Sequence, residues 1–144
     1  MAAISVGRYS REARAGTLPS MVATVFLVED SPLVLERLQA MLAPVEGVRV
    51  VGNAASANEA IPAILAARPD VVILDLKLQE SSGFDVLRAV HKREPGIDVY
   101  MLSNFASEPY RRFALRHGAR GFFDKTSEFE RVRDVVAERA ATVH

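Results

Sequence analysis

Short apolar runs and stretches of helical spacing take turns along this chain from Val22 onward. The runs are ATVFLV (23–28), VRVVGNA (48–54), DVVILD (70–75), IDVYML (97–102) and ARGFFD (119–124). Between them apolar residues recur at steps of three and four: Val34, Leu35, Leu38, Met41 and Leu42; Ile61, Ile64 and Leu65; Val86, Leu87 and Val90; Tyr110, Phe113 and Ala114. A last stripe of Phe129, Val132, Val135 and Val136 closes the series. Strand–helix units in unbroken succession predict an α/β fold, a parallel sheet covered by helices on both faces. DVVILD, apolar at nearly every position, predicts a strand buried on both sides and therefore central.

The boundaries of the helical stretches carry matching chemistry. Ser56 with Glu59 and Ser127 with Glu130 have capping-box spacing, and Ser82 with Asp85 is a looser version. Pro32 and Pro109 stand where a first helical turn can do without an amide proton. Gly47, Gly96 and Gly118 follow helical stretches, where a left-handed closing residue is expected.

Residues 1–20 lack any such pattern, holding Arg8, Arg11 and Arg14 against the single acid Glu12. They are expected to be a disordered extension, with one domain over residues 21–144. Composition narrows the function. With no cysteine among 144 residues, disulfide scaffolds, thiolate nucleophiles and cysteine zinc sites are excluded, and an intracellular, cytoplasmic setting is expected. Eighteen basic and 18 acidic residues balance, so no bulk field draws the chain to nucleic acid or to an anionic membrane. Any charged site must be local.

In open α/β sheets, ligands bind outside the carboxyl ends of the strands. Those ends carry Glu29 and Asp30 after the first run, Asp75 closing the third, Ser103 after the fourth and Lys125 after the fifth. Right-handed crossovers bring all five residues to one edge. Each has a bland reading when taken alone, since a lone Asp at a strand end is usually a cap and a lone Lys is usually solvated. Asp75 is the exception, because a carboxylate ending the most apolar strand is expected to be partly buried and to need a partner. Close carboxylates repel unless a cation joins them, and oxygen-only donors point to Mg²⁺ or Mn²⁺ sharing its remaining positions with a phosphoryl group.

The segments LVED, DVVILDLKLQESSG, MLSN and GARGFFDK, with Lys125 22 positions after Ser103, resemble the receiver domain of two-component response regulators over residues 22–141. The resemblance implies a flavodoxin-like, CheY-like sheet of five parallel strands in the order 2-1-3-4-5, flanked by five helices. It also implies a phosphorelay switch. A sensor histidine kinase or phosphotransfer protein would pass a phosphoryl group from phosphohistidine to Asp75, the domain acting on itself and not as a turnover enzyme. Asp30, Asp75 and the main-chain carbonyl of Lys77 would ligate Mg²⁺, with Glu29 acting through water. Lys125 and Ser103 would stabilise the phosphoryl oxygens, and Phe122 would repack as the Ser103 loop moves. Output would run through the fourth helix, fifth strand and fifth helix, to a downstream protein or effector domain or to a second copy. No direct binding to nucleic acid or membrane is expected.

The chain departs from the family's usual residues at several points. Gln79 and Thr126 stand where proline is frequent, Asn104 where a small residue is usual, and Phe122 where many relatives have tyrosine. Asn104 and Lys77 are expected to alter dephosphorylation. Arg111, Arg112, Arg116 and Arg120 are expected to form a basic face suited to an acidic partner, while His91, His117 and His144 lack ligand-like spacing. Three other readings stay open. One is a receiver excised from a DNA-binding transcriptional regulator. Another is an aspartyl-phosphate phosphatase of haloacid-dehalogenase type, which would need a DxD motif on its first strand. The last, a nucleotide-binding module, would need a glycine-rich phosphate loop that is missing here.

Overall fold

A computed structural model describes residues 22–142; the expectations for residues 1–20 and for His144 lie outside them. The elements are β1 (Ala23–Val28), α1 (Pro32–Leu42), β2 (Val48–Ala54), α2 (Ala57–Ala67), β3 (Val71–Leu74), β4 (Lys77–Leu78), β5 (Ser81–Ser82), α3 (Gly83–Arg93), β6 (Asp98–Ser103), α4 (Glu108–Arg116), β7 (Gly121–Asp124) and α5 (Arg131–Thr142). All five apolar runs become strands of one parallel sheet, in the order β2-β1-β3-β6-β7. Counted over these five strands alone, that order is 2-1-3-4-5.

The central strand explains the two-sided core. Successive side chains of a strand point to opposite faces, so Val72 and Leu74 enter one apolar cluster while Val71 and Ile73 enter the other. The first cluster takes Ile64 from α2, Val86, Leu87 and Val90 from α3 and Ala114 from α4. The second takes Leu38 and Leu42 from α1 and Val132 and Val136 from α5. Both faces are covered, as a parallel sheet requires. No helix among the described residues is long and apolar enough to cross a membrane.

Helix starts follow the expected chemistry in part. The Ser31 hydroxyl accepts from Val34 N at 3.3 Å, and the Ser56 hydroxyl accepts from Glu59 N at 3.3 Å. Glu59 closes its box on Ala55 N, one residue upstream of the cap. Ser82 accepts from Phe84 N, whereas Asp85 turns to Arg88 on the exposed side. The expected box at Ser127–Glu130 is not formed, because α5 begins only at Arg131. Asp124 holds that stretch instead, accepting from Thr126 N at 2.7 Å, while Glu128 reaches back to Asp124 N at 2.9 Å. Gly47 and Gly118 take the left-handed conformation (φ 78° and 104°) and Gly96 does not; Arg68 (φ 49°) closes α2 as a non-glycine cap. Periodicity gives no sign of the β4–β5 hairpin, which pairs Lys77 with Ser82 and Leu78 with Ser81 immediately after the central strand.

Candidate functional site

Main-chain pairing continues one residue past the ends of β1 and β3 and places two acids side by side. Glu29 N donates to Ala54 O at 2.9 Å and Asp75 N donates to Val28 O at 3.0 Å. Lys125 N likewise donates to Ser103 O at 3.0 Å, which fixes the lysine beside the end of β6. The ammonium of Lys125 then bridges Glu29 Oε1 and Asp75 Oδ2, each at 2.8 Å. The remaining oxygens are also engaged: Glu29 Oε2 accepts from Ser31 N at 3.0 Å and Asp75 Oδ1 from Leu76 N at 2.7 Å. Glu29, Asp30 and Asp75 each bring a carboxylate oxygen within 4.8 Å of the others, with Asp30 the least buried of the three.

The electrostatics follow from that crowding. Burial pushes the Glu29 carboxyl above its ordinary value, with the Asp75 charge adding to the rise and the Lys125 hydrogen bond opposing it. For Lys125, burial alone would depress the ammonium, but its two carboxylate partners outweigh that and hold it above its usual value. One ammonium against three acids leaves a net negative pocket. All donors are hard oxygens, so the residues present suit a small divalent cation.

Ser103 is fully buried at the adjoining strand end, and its oxygen accepts from Phe105 N at 3.0 Å. Phe122, paired with Met101 on the neighbouring strand, is 6% exposed and belongs to the apolar cluster. Lys77 is exposed, and its ammonium sits 5.1 Å from the centre of the Phe105 ring. This contact joins the hairpin to the loop after Ser103.

Gly83 matters for a reason that spacing alone does not show. A Cβ there would collide with the Asp75 carbonyl oxygen and stand 2.9 Å from its carbonyl carbon, so the start of α3 presses directly on the backbone of the acid. Gly83→Ala is expected to cost about 1–3 kcal/mol by overpacking. An unchanged chemical-denaturation midpoint would show that α3 yields without disturbing Asp75.

The expected basic face is only partly present. Arg112 and Arg116 are exposed and make no ion pair among the described residues. Arg120 pairs with Asp98 at 3.4 Å. Arg111 turns inward, to Ala106 O, Phe122 O and Glu128, because main-chain carbonyls with no strand partner lie within its reach. Periodicity predicts neither this nor the contact of Lys77 with Phe105.

The response regulator receiver domain model matches residues 25–137. The chain belongs to that family. It is 35% identical over 120 residues to the DNA-binding transcriptional activator DevR/DosR of Mycobacterium tuberculosis, covering 81% of this chain and 55% of that protein. It is 32% identical over 112 residues to the uncharacterized transcriptional regulatory protein YvfU of Bacillus subtilis, covering 78% of this chain and 56% of that one. A protein-glutamate methylesterase/protein-glutamine glutaminase of Carboxydothermus hydrogenoformans is 32% identical over 117 residues, covering 80% of this receiver and 34% of that enzyme. Among solved structures, the response regulator domain of Thermotoga maritima CheB superposes with a TM-score of 0.74 at 26% identity, covering 85% of this chain and 96% of that one. The receiver thus spans about half the length of the first two relatives. Receivers of two-component systems are phosphorelay switches, and in these relatives they accompany different outputs.

Proposed function

We propose that this receiver accepts one phosphoryl group on Asp75 from the phosphohistidine of a sensor histidine kinase or phosphotransfer protein. The observation that carries the reading is the Asp75 carboxylate, buried beside two further acids with one oxygen on the Lys125 ammonium. A carboxylate oxygen attacks phosphorus, the nitrogen–phosphorus bond breaks, and the departing imidazole keeps the electron pair. Water later hydrolyses the acyl phosphate. Catalysis of such a transfer is mostly positioning and charge neutralisation.

Asp30, Asp75 and the Lys77 main-chain carbonyl would hold Mg²⁺, or Mn²⁺, with Glu29 acting through water. When bound, the cation neutralises charge on the carboxylates and the phosphoryl oxygens. Lys125 would stabilise the phosphoryl oxygens. Ser103 already uses its oxygen as an acceptor for Phe105 N, which leaves the hydroxyl proton to donate to a phosphoryl oxygen. Phe122 repacks as that loop is drawn in.

Intact mass after incubation with acetyl phosphate and Mg²⁺ tests the reading. One phosphoryl group per chain is expected, and none when the cation is chelated. Rapid repeated turnover of phosphomonoesters would overturn the switch in favour of a phosphatase.

The contact of Lys77 with Phe105 ties the hairpin that follows Asp75 to the loop after Ser103, and as an exposed cation–π pair it is worth about 0.5–1 kcal/mol. Lys77→Asn is therefore expected to speed acyl phosphate decay roughly two- to fivefold, by opening the approach to water. Equal decay rates would remove that role.

The output is carried by the face of α4, β7 and α5, where Arg112 and Arg116 suit an acidic protein surface or a second copy of the chain. The names and lengths of the relatives favour a receiver belonging to a longer transcriptional regulator. Its balanced charge leaves nucleic acid contact to such an attached effector. The domain works in the cytoplasm and turns over nothing but its own phosphoryl group.

A further inference from the structure

One guanidinium ties together the stretches of chain that carry Ser103 and Lys125. Arg111, on α4, donates from Nε to Ala106 O at 2.7 Å, from Nη1 to Phe122 O at 2.8 Å and from Nη2 to Glu128 Oε1 at 3.2 Å. The same Glu128 oxygen accepts from Asp124 N at 2.9 Å. The guanidinium carbon lies 5.4 Å from the centre of the buried Phe122 ring. Ala106 follows Ser103 by three residues, Phe122 precedes Lys125 by three and Glu128 follows it by three. The Ser103 hydroxyl is itself tied within this loop, to Phe105 N. Movement of the loop relative to α4 strains the bond from Arg111 to Ala106, while the bonds to Phe122 and Glu128 can persist.

We propose that Arg111 is a positioning residue, a latch that holds the Ser103 loop against β7 and sets how readily the domain switches; this rests on Asp75 being the acceptor. The latch needs a planar fork with donors in three directions, which the point charge of a lysine does not provide. Phosphoryl uptake scales with the fraction of molecules whose loop is free to close. Loosening the latch raises that fraction.

Arg111→Gln and Arg111→Lys test the proposal beside Arg93→Gln, a control at an exposed arginine on the last turn of α3. The first measurement is amide hydrogen exchange with no phosphoryl donor present. Faster exchange over residues 104–107 and 124–128 is expected in both Arg111 variants, with β1 and β3 unchanged, and wild-type protection there would overturn the latch. The second is uptake from acetyl phosphate with Mg²⁺, expected to rise about tenfold in both Arg111 variants, as loss of one charge-assisted hydrogen bond implies. Equal or slower uptake would overturn the proposal, as would full recovery of wild-type behaviour by Arg111→Lys. Absence of uptake by the wild type would sink the acceptor reading instead, and the exchange comparison would still decide the latch.

Discussion

Asp75→Asn is expected to take up no phosphoryl group from acetyl phosphate while remaining folded. The amide oxygen is a poor nucleophile and cannot carry an acyl phosphate, so stoichiometry by intact mass falls from one to zero. The fold should tolerate the change. The substituted amide would have one oxygen for two donors, Leu76 N and the Lys125 ammonium, and the ammonium can rest on Glu29 alone. Removing the Asp75 charge also removes one of the causes that raise the Glu29 carboxyl. The thermal midpoint of the metal-free protein should be unchanged or slightly higher, while affinity for Mg²⁺ drops with the loss of one of three acids. Uptake by Asp75→Asn at the wild-type rate would place the acceptor elsewhere.

Lys125→Met has the largest expected effect on stability. The ammonium is the nearest cation to two carboxylates that are almost fully buried. Breaking a buried pair by deleting one partner costs about 3–5 kcal/mol, because the other charge stays desolvated. In a domain of this size that corresponds to a fall of roughly 12–20 °C in the thermal midpoint at neutral pH without metal. The pH dependence has a definite sign. Glu29 titrates above its ordinary value in the folded protein, so its contribution to stability is greatest in acid and is lost as pH rises through that raised value. Losing Lys125 removes a lowering influence, so in the variant this loss should extend to higher pH. Added Mg²⁺ should restore much of the neutral-pH stability by replacing the missing positive charge. Matching midpoints for variant and wild type at neutral pH without metal would show that the bridge contributes nothing.

Much of the site was legible because it depends on topology. In a right-handed parallel sheet, residues at the carboxyl ends of successive strands must meet at one edge, and no detailed packing is needed to say so. Glu29, Asp30, Asp75 and Lys125 are reached that way, and the structure brings them together. What escaped depends on where side chains turn once the elements have docked. Arg111 and Arg112 are adjacent and chemically identical, yet one is bound to two main-chain carbonyls and a carboxylate while the other is exposed. Ser127–Glu130 has the spacing of a cap, but Asp124 and Glu128 satisfy the local amides first.

The order of apolar and helical stretches was enough to decide that this chain forms a two-sided parallel sheet with acids and a lysine along one edge. Periodicity fixes which face of each element is apolar, and burial of those faces leaves few arrangements. Only the tertiary structure decided that Gly83 presses on the Asp75 carbonyl, that Lys77 meets Phe105, and that Arg111 joins both loops beside the pocket. Those contacts form between residues on different elements and loops, over separations of a few ångströms that depend on how helices settle against the sheet. No local pattern encodes such distances. They come from the packing of the whole domain.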